Sequence, residues 1–216
     1  MKKKSQKHLI FAIWMLGAFL LWTIAVCSID VQPIGPQGSK VGFATINDFV
    51  HRCTGVHLSL YAATDWLSLI PLGIVMGFGL LGLMQWIKRK HILKVDFNIL
   101  VLGGFYLVVM AAFFCFEVLA VNYRPILIDG QLEASYPSST TMLVMCVMPT
   151  SILQFNNRIK KPLARRCVIF ASVAFLIFMV LGRLISGVHW LTDIIGGALL
   201  STALVELYYS INGNFS

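Results

Sequence analysis

The sequence has little charge. Only 12% of its 216 residues are Asp, Glu, Lys or Arg, about half the share in an average soluble domain, and just nine are acidic. That scarcity excludes an ordinary soluble globular domain. Cysteine is equally uninformative: Cys27, Cys53, Cys115, Cys146 and Cys167 show no CxxC spacing, and most sit in or beside apolar runs. Such a pattern supports neither a disulfide framework nor a zinc site, and the thiols read as small apolar fillers. No internal repeat, coiled-coil heptad or low-complexity tail stands out. The acidic residues are scattered and no His/Cys pair has ligand spacing, so neither a metal nor a cofactor is expected.

What the chain does have is hydrophobic length, with 58% apolar residues. A spanning helix needs about 20 apolar residues. Six segments approach that: Leu9–Ser28, Trp66–Ile87, Asn98–Ala120, Thr140–Phe155, Val168–Ile185 and Trp190–Tyr209. The pattern predicts an all-α, polytopic membrane protein, a six-transmembrane-helix bundle forming one domain over 1–216. The fourth segment contains Pro149, expected to kink its helix and to be tolerated because neighbouring helices satisfy the freed carbonyl. The opening MKKKSQK resembles the positive region of a signal peptide. The apolar run after it exceeds the usual ~7–15 residues, and no small-residue cleavage site follows, so it reads as a retained first helix.

The formal net charge of +8 suggests nucleic acid at first sight. The positions of the basic residues argue instead for membrane anchoring without nucleic-acid binding. Lys2, Lys3, Lys4 and Lys7 precede the first helix. Lys88, Arg89, Lys90 and Lys94 follow the second, and Arg158, Lys160, Lys161, Arg165 and Arg166 follow the fourth. With six alternating helices all these fall on one side, which the positive-inside rule makes cytoplasmic. The expectation is a multi-pass plasma-membrane protein with both termini cytoplasmic. Lys40, Arg52, Arg124 and Arg183 then lie on the outer side. The first outer loop, Asp30–Ala63, combines a turn-rich stretch with a short helix over FATINDFVHRCTG, expected at the membrane surface. It reads as a lid or a substrate selector, with His51 and His57 as solvated loop histidines. Asp65, which follows it, reads as a helix N-cap, with a place facing the site as the alternative.

The chemistry concentrates in GRLISGVHWLTD, Gly182–Asp193. His189 and Asp193 are four apart and would share a helix face. A carboxylate near a helix centre in lipid costs about 2.5–3.5 kcal/mol, so Asp193 calls for a partner. By accepting from one imidazole nitrogen it would fix the tautomer and free the other, an orienter–base arrangement. A structural His–Asp tie between helices is the plain alternative. Arg183 ends the fifth helix and Arg124 follows the third, and two guanidiniums at one face form a fork for a phosphoryl group. The stretch YPSSTTM places Ser138, Ser139 and Thr140 where the fourth helix begins, as ordinary caps or as an anion cradle. All of these reach one membrane face by the topology argument alone.

Arg124–Pro125, Pro137–Ser138–Ser139 and the R-x5-H-x3-D spacing of Arg183, His189 and Asp193 together resemble the type 2 phosphatidic acid phosphatase superfamily, six-helix lipid phosphatases. The likeness runs from the third helix to the end of the sixth, with a core of about 60–211 and an extra outer loop of about 30–63. It implies a metal-independent phosphatase acting on a phosphorylated lipid, through a phosphohistidine on His189 oriented by Asp193. Arg124, Arg183, Ser138, Ser139 and Thr140 would bind the phosphoryl group. Phosphatidic acid, phosphatidylglycerol phosphate and polyprenyl pyrophosphate are the candidate substrates, and partners other than membrane lipids are not implied.

Two departures are substantial, and a third is milder. Glu117 occupies the first-motif position where the family has lysine. Thr140 stands where the family has the histidine that protonates the leaving group, and Gly182 replaces a serine before Arg183. Three accounts stay open. Glu133, Tyr136 or a loop histidine donates the proton; the substrate carries a good leaving group such as pyrophosphate; or the protein is a catalytically impaired lipid-phosphate binder or transporter. Glu117 is also placed to pair with Arg124.

Overall fold

A computed structural model of the protein describes residues 3–212. Within them the chain forms eight α-helices, and its β-structure is limited to isolated bridges. Six are long: α1 (Lys3–Ser28), α4 (Leu69–Arg89), α5 (Phe97–Leu119), α6 (Ser139–Arg158), α7 (Pro162–Ile185) and α8 (Leu191–Asn212). Even the 20-residue α6 reaches about 30 Å, the thickness of a hydrocarbon core. Two are short, α2 (Ala44–Thr54) and α3 (Leu58–Leu67). Ser68 alone separates α3 from α4, so Leu58–Arg89 forms one apolar stretch of 32 residues.

The six expected spans correspond to α1, α4, α5, α6, α7 and α8. Two start earlier than apolar content predicts, α1 at Lys3 and α7 at Pro162. The added turns are rich in Lys and Arg, good helix formers whose charges remain hydrated beyond the hydrocarbon. The protein is a multi-pass membrane protein. Its outward-facing side chains, such as Trp14 at 72% exposure, Val118 at 85% and Phe170 at 76%, form an apolar band suited to lipid, not water.

Five of the six long helices are apolar enough to cross a membrane on composition alone, and α6 is the exception. It is the central helix. Met142 and Cys146 pack with Phe19 of α1, Phe105 of α5 and Tyr208 of α8, while Val144 and Met148 pack with Met179 of α7. Screened from lipid, α6 tolerates a polar stripe. Thr150 bonds Tyr106 of α5 at 3.2 Å, and Gln154 donates to Tyr208 of α8 at 2.8 Å. These are the interhelical bonds that fix packing where lipid supplies no hydrophobic drive between helices. α6 is continuous through Pro149, whose carbonyl accepts from Tyr209 at 2.9 Å.

Both ends of α6 have clear character. Its C-terminal end joins the basic hairpins around Arg89 and Arg158. Its N-terminal end meets the ends of α5, α7 and α8, together with α2, α3 and the loop 120–138. The segment between α1 and α3 is a strap over the α7–α8 turn. Fully buried Asn47 of α2 donates to Thr192 Oγ1 at 3.0 Å and accepts from the Thr192 amide at 3.3 Å. His51 Nε2 contacts the Gly187 carbonyl at 3.1 Å, and its ring lies 5.4 Å from Trp190. The His57 amide donates to Ser186 O at 3.0 Å. His51 is therefore a clasp, not a solvated loop histidine, because the strap folds its ring onto the turn. All five cysteines are free, with only Cys146 buried.

Gly187 makes this contact possible. Its φ is +68°, and a Cβ there would lie 2.0 Å from Gly55 O. Gly187→Ala should lower the thermal midpoint in detergent. The left-handed conformation alone costs about 1–2 kcal/mol, and the backbone clash adds to it. An unchanged midpoint in a fluorescence melt would show that the strap does not press on this turn.

Candidate active site

The site begins with the turn from α7 into α8. His189 is not on the helix, contrary to the sequence expectation; it precedes Trp190, the residue just before α8. The Asp193 carboxylate folds back to cap that end, its Oδ2 accepting from the Trp190 amide at 2.9 Å. This is the acidic arm of a capping box. Asp193 Oδ1 accepts from Asn122 Nδ2 at 3.3 Å, and its backbone carbonyl accepts from the Ser138 amide at 3.0 Å. His189 Nδ1 stands 3.7 Å from Asp193 Oδ2, a charge contact longer than a hydrogen bond. The cap brings the pair together, because a helix N-terminus favours a carboxylate at its third position.

His189 is 3% exposed, and both its ring nitrogens lack a protein partner. Burial pushes its pKa below the ordinary histidine value, opposed by Asp193 and supported by the positive charges of Arg124 and Arg183. The imidazole is accordingly neutral at physiological pH, the form that can act as a nucleophile.

Arg183 is 2% exposed at the end of α7. Its Nη2 donates to Asp65 Oδ1 at 2.9 Å and also to Thr140 Oγ1, leaving Nε and Nη1 without partners. Asp65 lies inside α3 and not at an N-cap, because the helix starts at Leu58. Gly182 explains the missing serine: a Cβ there would sit 2.8 Å from Thr64 Cγ2, so the glycine lets α3 approach α7.

Arg124 comes from the loop 120–138, which folds back on itself. Tyr123 bridges Ala134 in antiparallel fashion, and the Arg124 amide donates to Glu133 O at 3.0 Å. This register sets Arg124 Nε 3.0 Å from Glu133 Oε2. The partner of Arg124 is thus Glu133 and not Glu117, because the hairpin brings Glu133 alongside. Arg124 Nη1 is buried without a partner.

At the start of α6, Ser138 is fully buried, and its hydroxyl caps nothing and has no partner. The first-turn amides are therefore not occupied by that side chain. Ser139 lines the adjoining cavity. The Thr140 hydroxyl is engaged by Arg183, so this residue supports the arginine. A cavity of about 270 Å³ connects Arg124, Glu133, Glu117, Tyr136, Ser139 and His189. A second, largely apolar cavity of about 350 Å³ between α4, α5 and α6 shares Ser139, Met142 and Phe113 with it. Tyr136, in the wall of the polar cavity, has its hydroxyl 2.7 Å from Thr23 Oγ1, and burial raises its pKa to about 12.

Residues 118–216 match the sequence profile of the PAP2 superfamily. The match covers a little under half of the chain, and it is this segment that resembles that superfamily. The PAP2 segment contains Arg124, Ser138, Arg183, His189 and Asp193, and it begins one residue after Glu117. The fold is similar to the crystal structure of a transmembrane PAP2-type phosphatidylglycerolphosphate phosphatase from Bacillus subtilis. The TM-score is 0.56 at 17% identity, over 95% of this chain and 97% of that one. No curated protein sequence matches the chain.

Sequence reasoning brought together Arg124, Arg183, Ser138, Ser139, Thr140, His189 and Asp193 in the PAP2 segment, and all converge in the structure. It missed Asn122 and Tyr61. Asn122 carries no sequence signal beyond its place near Arg124, while Tyr61 lies in the loop and short helix that no motif covers.

The His189 imidazole should titrate below about pH 6.5, the ordinary histidine value. Asp193→Asn should lower it further, since the carboxylate favours the protonated form. Histidine-labelled NMR in detergent reads both values. A His189 that titrates above the free imidazole would contradict the burial of its ring.

Proposed function

We propose that the protein is a membrane lipid phosphatase that cleaves a lipid diphosphate by nucleophilic attack of His189. The observation that carries this reading is where the unsatisfied polar atoms lie. Arg124 Nη1, Arg183 Nε and Nη1, Ser138 Oγ and both His189 nitrogens are buried without protein partners at one end of the bundle, and Arg124, His189 and Ser139, the neighbour of Ser138, line one small polar cavity there. Buried donors in such density are normally paired. Together they suit a phosphoryl group that supplies the acceptors.

In the reaction, His189 Nε2 attacks the terminal phosphorus, and the bond from phosphorus to the leaving oxygen breaks. A phosphohistidine forms, and Asp193 balances the positive charge on the ring. Arg124, Arg183, Ser138 and the first-turn amides of α6 stabilise the oxygens of the transferring group. Water then attacks the phosphohistidine, releasing phosphate and restoring neutral His189.

The residue at 140 cannot protonate a leaving alkoxide, and its hydroxyl is occupied by Arg183. Glu133 is held by Arg124. A leaving group that is itself a phosphate needs little protonation, which favours a diphosphate over a monoester. The adjoining apolar cavity gives the lipid's hydrocarbon a place next to the phosphoryl site. The structural neighbour is named for a phosphomonoester lipid, so the monoester is the comparison substrate.

The site lies at the end of the bundle opposite Lys3, Lys4, Lys7, Arg89, Arg158 and Arg166. Lys2 lies outside the described residues. By the positive-inside rule the site faces outward and both termini face the cytoplasm.

Phosphate release from polyprenyl pyrophosphate should exceed release from phosphatidylglycerol phosphate or phosphatidic acid. His189→Ala should reduce it by about 10³-fold or more on every substrate. Equal rates for wild type and His189→Ala would refute the enzyme. Thr140→Val, which removes an acceptor of Arg183, should raise KM several-fold with less effect on kcat. For topology, a single cysteine at Gln131 in a cysteine-free variant should react with an impermeant maleimide on intact cells. Reaction only after lysis would place the site on the cytoplasmic side.

A further inference from the structure

The reaction scheme gives no part to Tyr61. Tyr61 is half-buried on α3, one turn before Asp65. The Arg183 guanidinium carbon lies 4.9 Å from its ring centroid and the Arg124 carbon 5.8 Å. One aromatic ring therefore lies within cation–π range of both arginines. They come from unrelated parts of the chain, α7 and the loop 120–138, and each has its own carboxylate, Asp65 or Glu133. Neither ion pair sets the position of one guanidinium relative to the other. Two like charges aimed at one phosphoryl group repel each other until the anion arrives. An aromatic quadrupole attracts both, and does so more strongly where the cations are desolvated.

We propose that Tyr61 is a positioning residue that holds the Arg124 and Arg183 guanidiniums against one aromatic ring and so sets the spacing of the two cations that receive the phosphoryl group. The proposal rests on the phosphatase reading but deepens it. It also accounts for the placement of α3, where Asp65 grips one arginine from the side while Tyr61 aligns both. An aliphatic side chain of similar size would fill the space without the attraction, and phenylalanine would keep the attraction without the hydroxyl.

The test uses the purified full-length protein in detergent, with orthovanadate as the probe, titrated by intrinsic fluorescence, alongside phosphate release. Tyr61→Leu should weaken vanadate binding about tenfold and raise KM by a similar factor. Its kcat and its unliganded melting temperature should change much less. Tyr61→Phe should restore both vanadate binding and KM. Tyr61→Met repeats the comparison where the leucine variant folds poorly. Wild-type vanadate affinity in Tyr61→Leu overturns the proposal, and so does equal loss in the leucine and phenylalanine variants. If the wild type binds vanadate without releasing phosphate from any lipid, the phosphatase reading fails, and Tyr61 is judged on vanadate affinity alone. A wild type that does not bind vanadate removes the anion site and the proposal together.

Discussion

The carboxylate of Asp193 is the interaction on which the rest of the site depends. It is fully buried, and its two oxygens and its backbone carbonyl join four segments: the turn before α8, α8 itself, the loop 120–138 through Asn122, and the start of α6 through Ser138. A buried charge is tolerated only when its lone pairs are met and opposite charge or positive dipole is near. Here the helix N-terminus and the amide donors meet that condition before His189 takes part. The acid is therefore stable in its place whether or not the imidazole is charged. That independence lets His189 remain neutral and unbonded, 3.7 Å away, while in the proposed reaction the positive form created by phosphoryl transfer finds a fixed counter-charge.

The membrane imposes a second constraint, and α6 resolves it. A helix that begins with Ser138, Ser139, Thr140 and Thr141 and continues through Thr150, Ser151 and Gln154 is too polar to face lipid. Surrounding it with α4, α5, α7 and α8 removes that conflict and places its N-terminus, with positive dipole, at the centre of one end of the bundle. The arginines then approach from the periphery, Arg183 along α7 and Arg124 on the folded loop. The strap formed by α2 covers the His189 turn from the remaining side.

Much of this was legible in the sequence, for definite reasons. Apolar runs of spanning length located the six long helices because membrane burial demands them. The basic residues marked the opposite end from the site, and the R-x5-H-x3-D spacing identified the turn. The ends of α1 and α7 were not legible, since apolar content says nothing about helix that continues into the headgroup region. Nor was the geometry of His189. A spacing of four suggests a shared helix face, yet the residues meet through a cap, which depends on where α8 starts. The partner of Arg124 depends on a hairpin register between residues 123 and 134, which local sequence does not encode. Asp65 reads as a cap from its place before an apolar run. Only the contact between α3 and α7, made possible by the small Gly182, shows it as a ligand of Arg183.

The two departures from the superfamily pattern have a common electrostatic consequence. Where the family pattern that the chain resembles has a lysine and a histidine, this chain carries Glu117 and Thr140, so the cavity has less positive charge than that pattern implies and its wall bears a carboxylate. Arg124 and Arg183 are each already opposed by one carboxylate, Glu133 and Asp65. The resting site is thus nearly neutralised, unlike a cationic pocket waiting for any anion. In the proposed reaction an entering phosphoryl group has to compete with Glu133 for Arg124, and a more highly charged group competes better. A diphosphate brings that charge and also leaves with little need for a proton. On the proposed reading, the same residues that weaken the site for a simple monoester therefore favour the substrate that needs the missing histidine least.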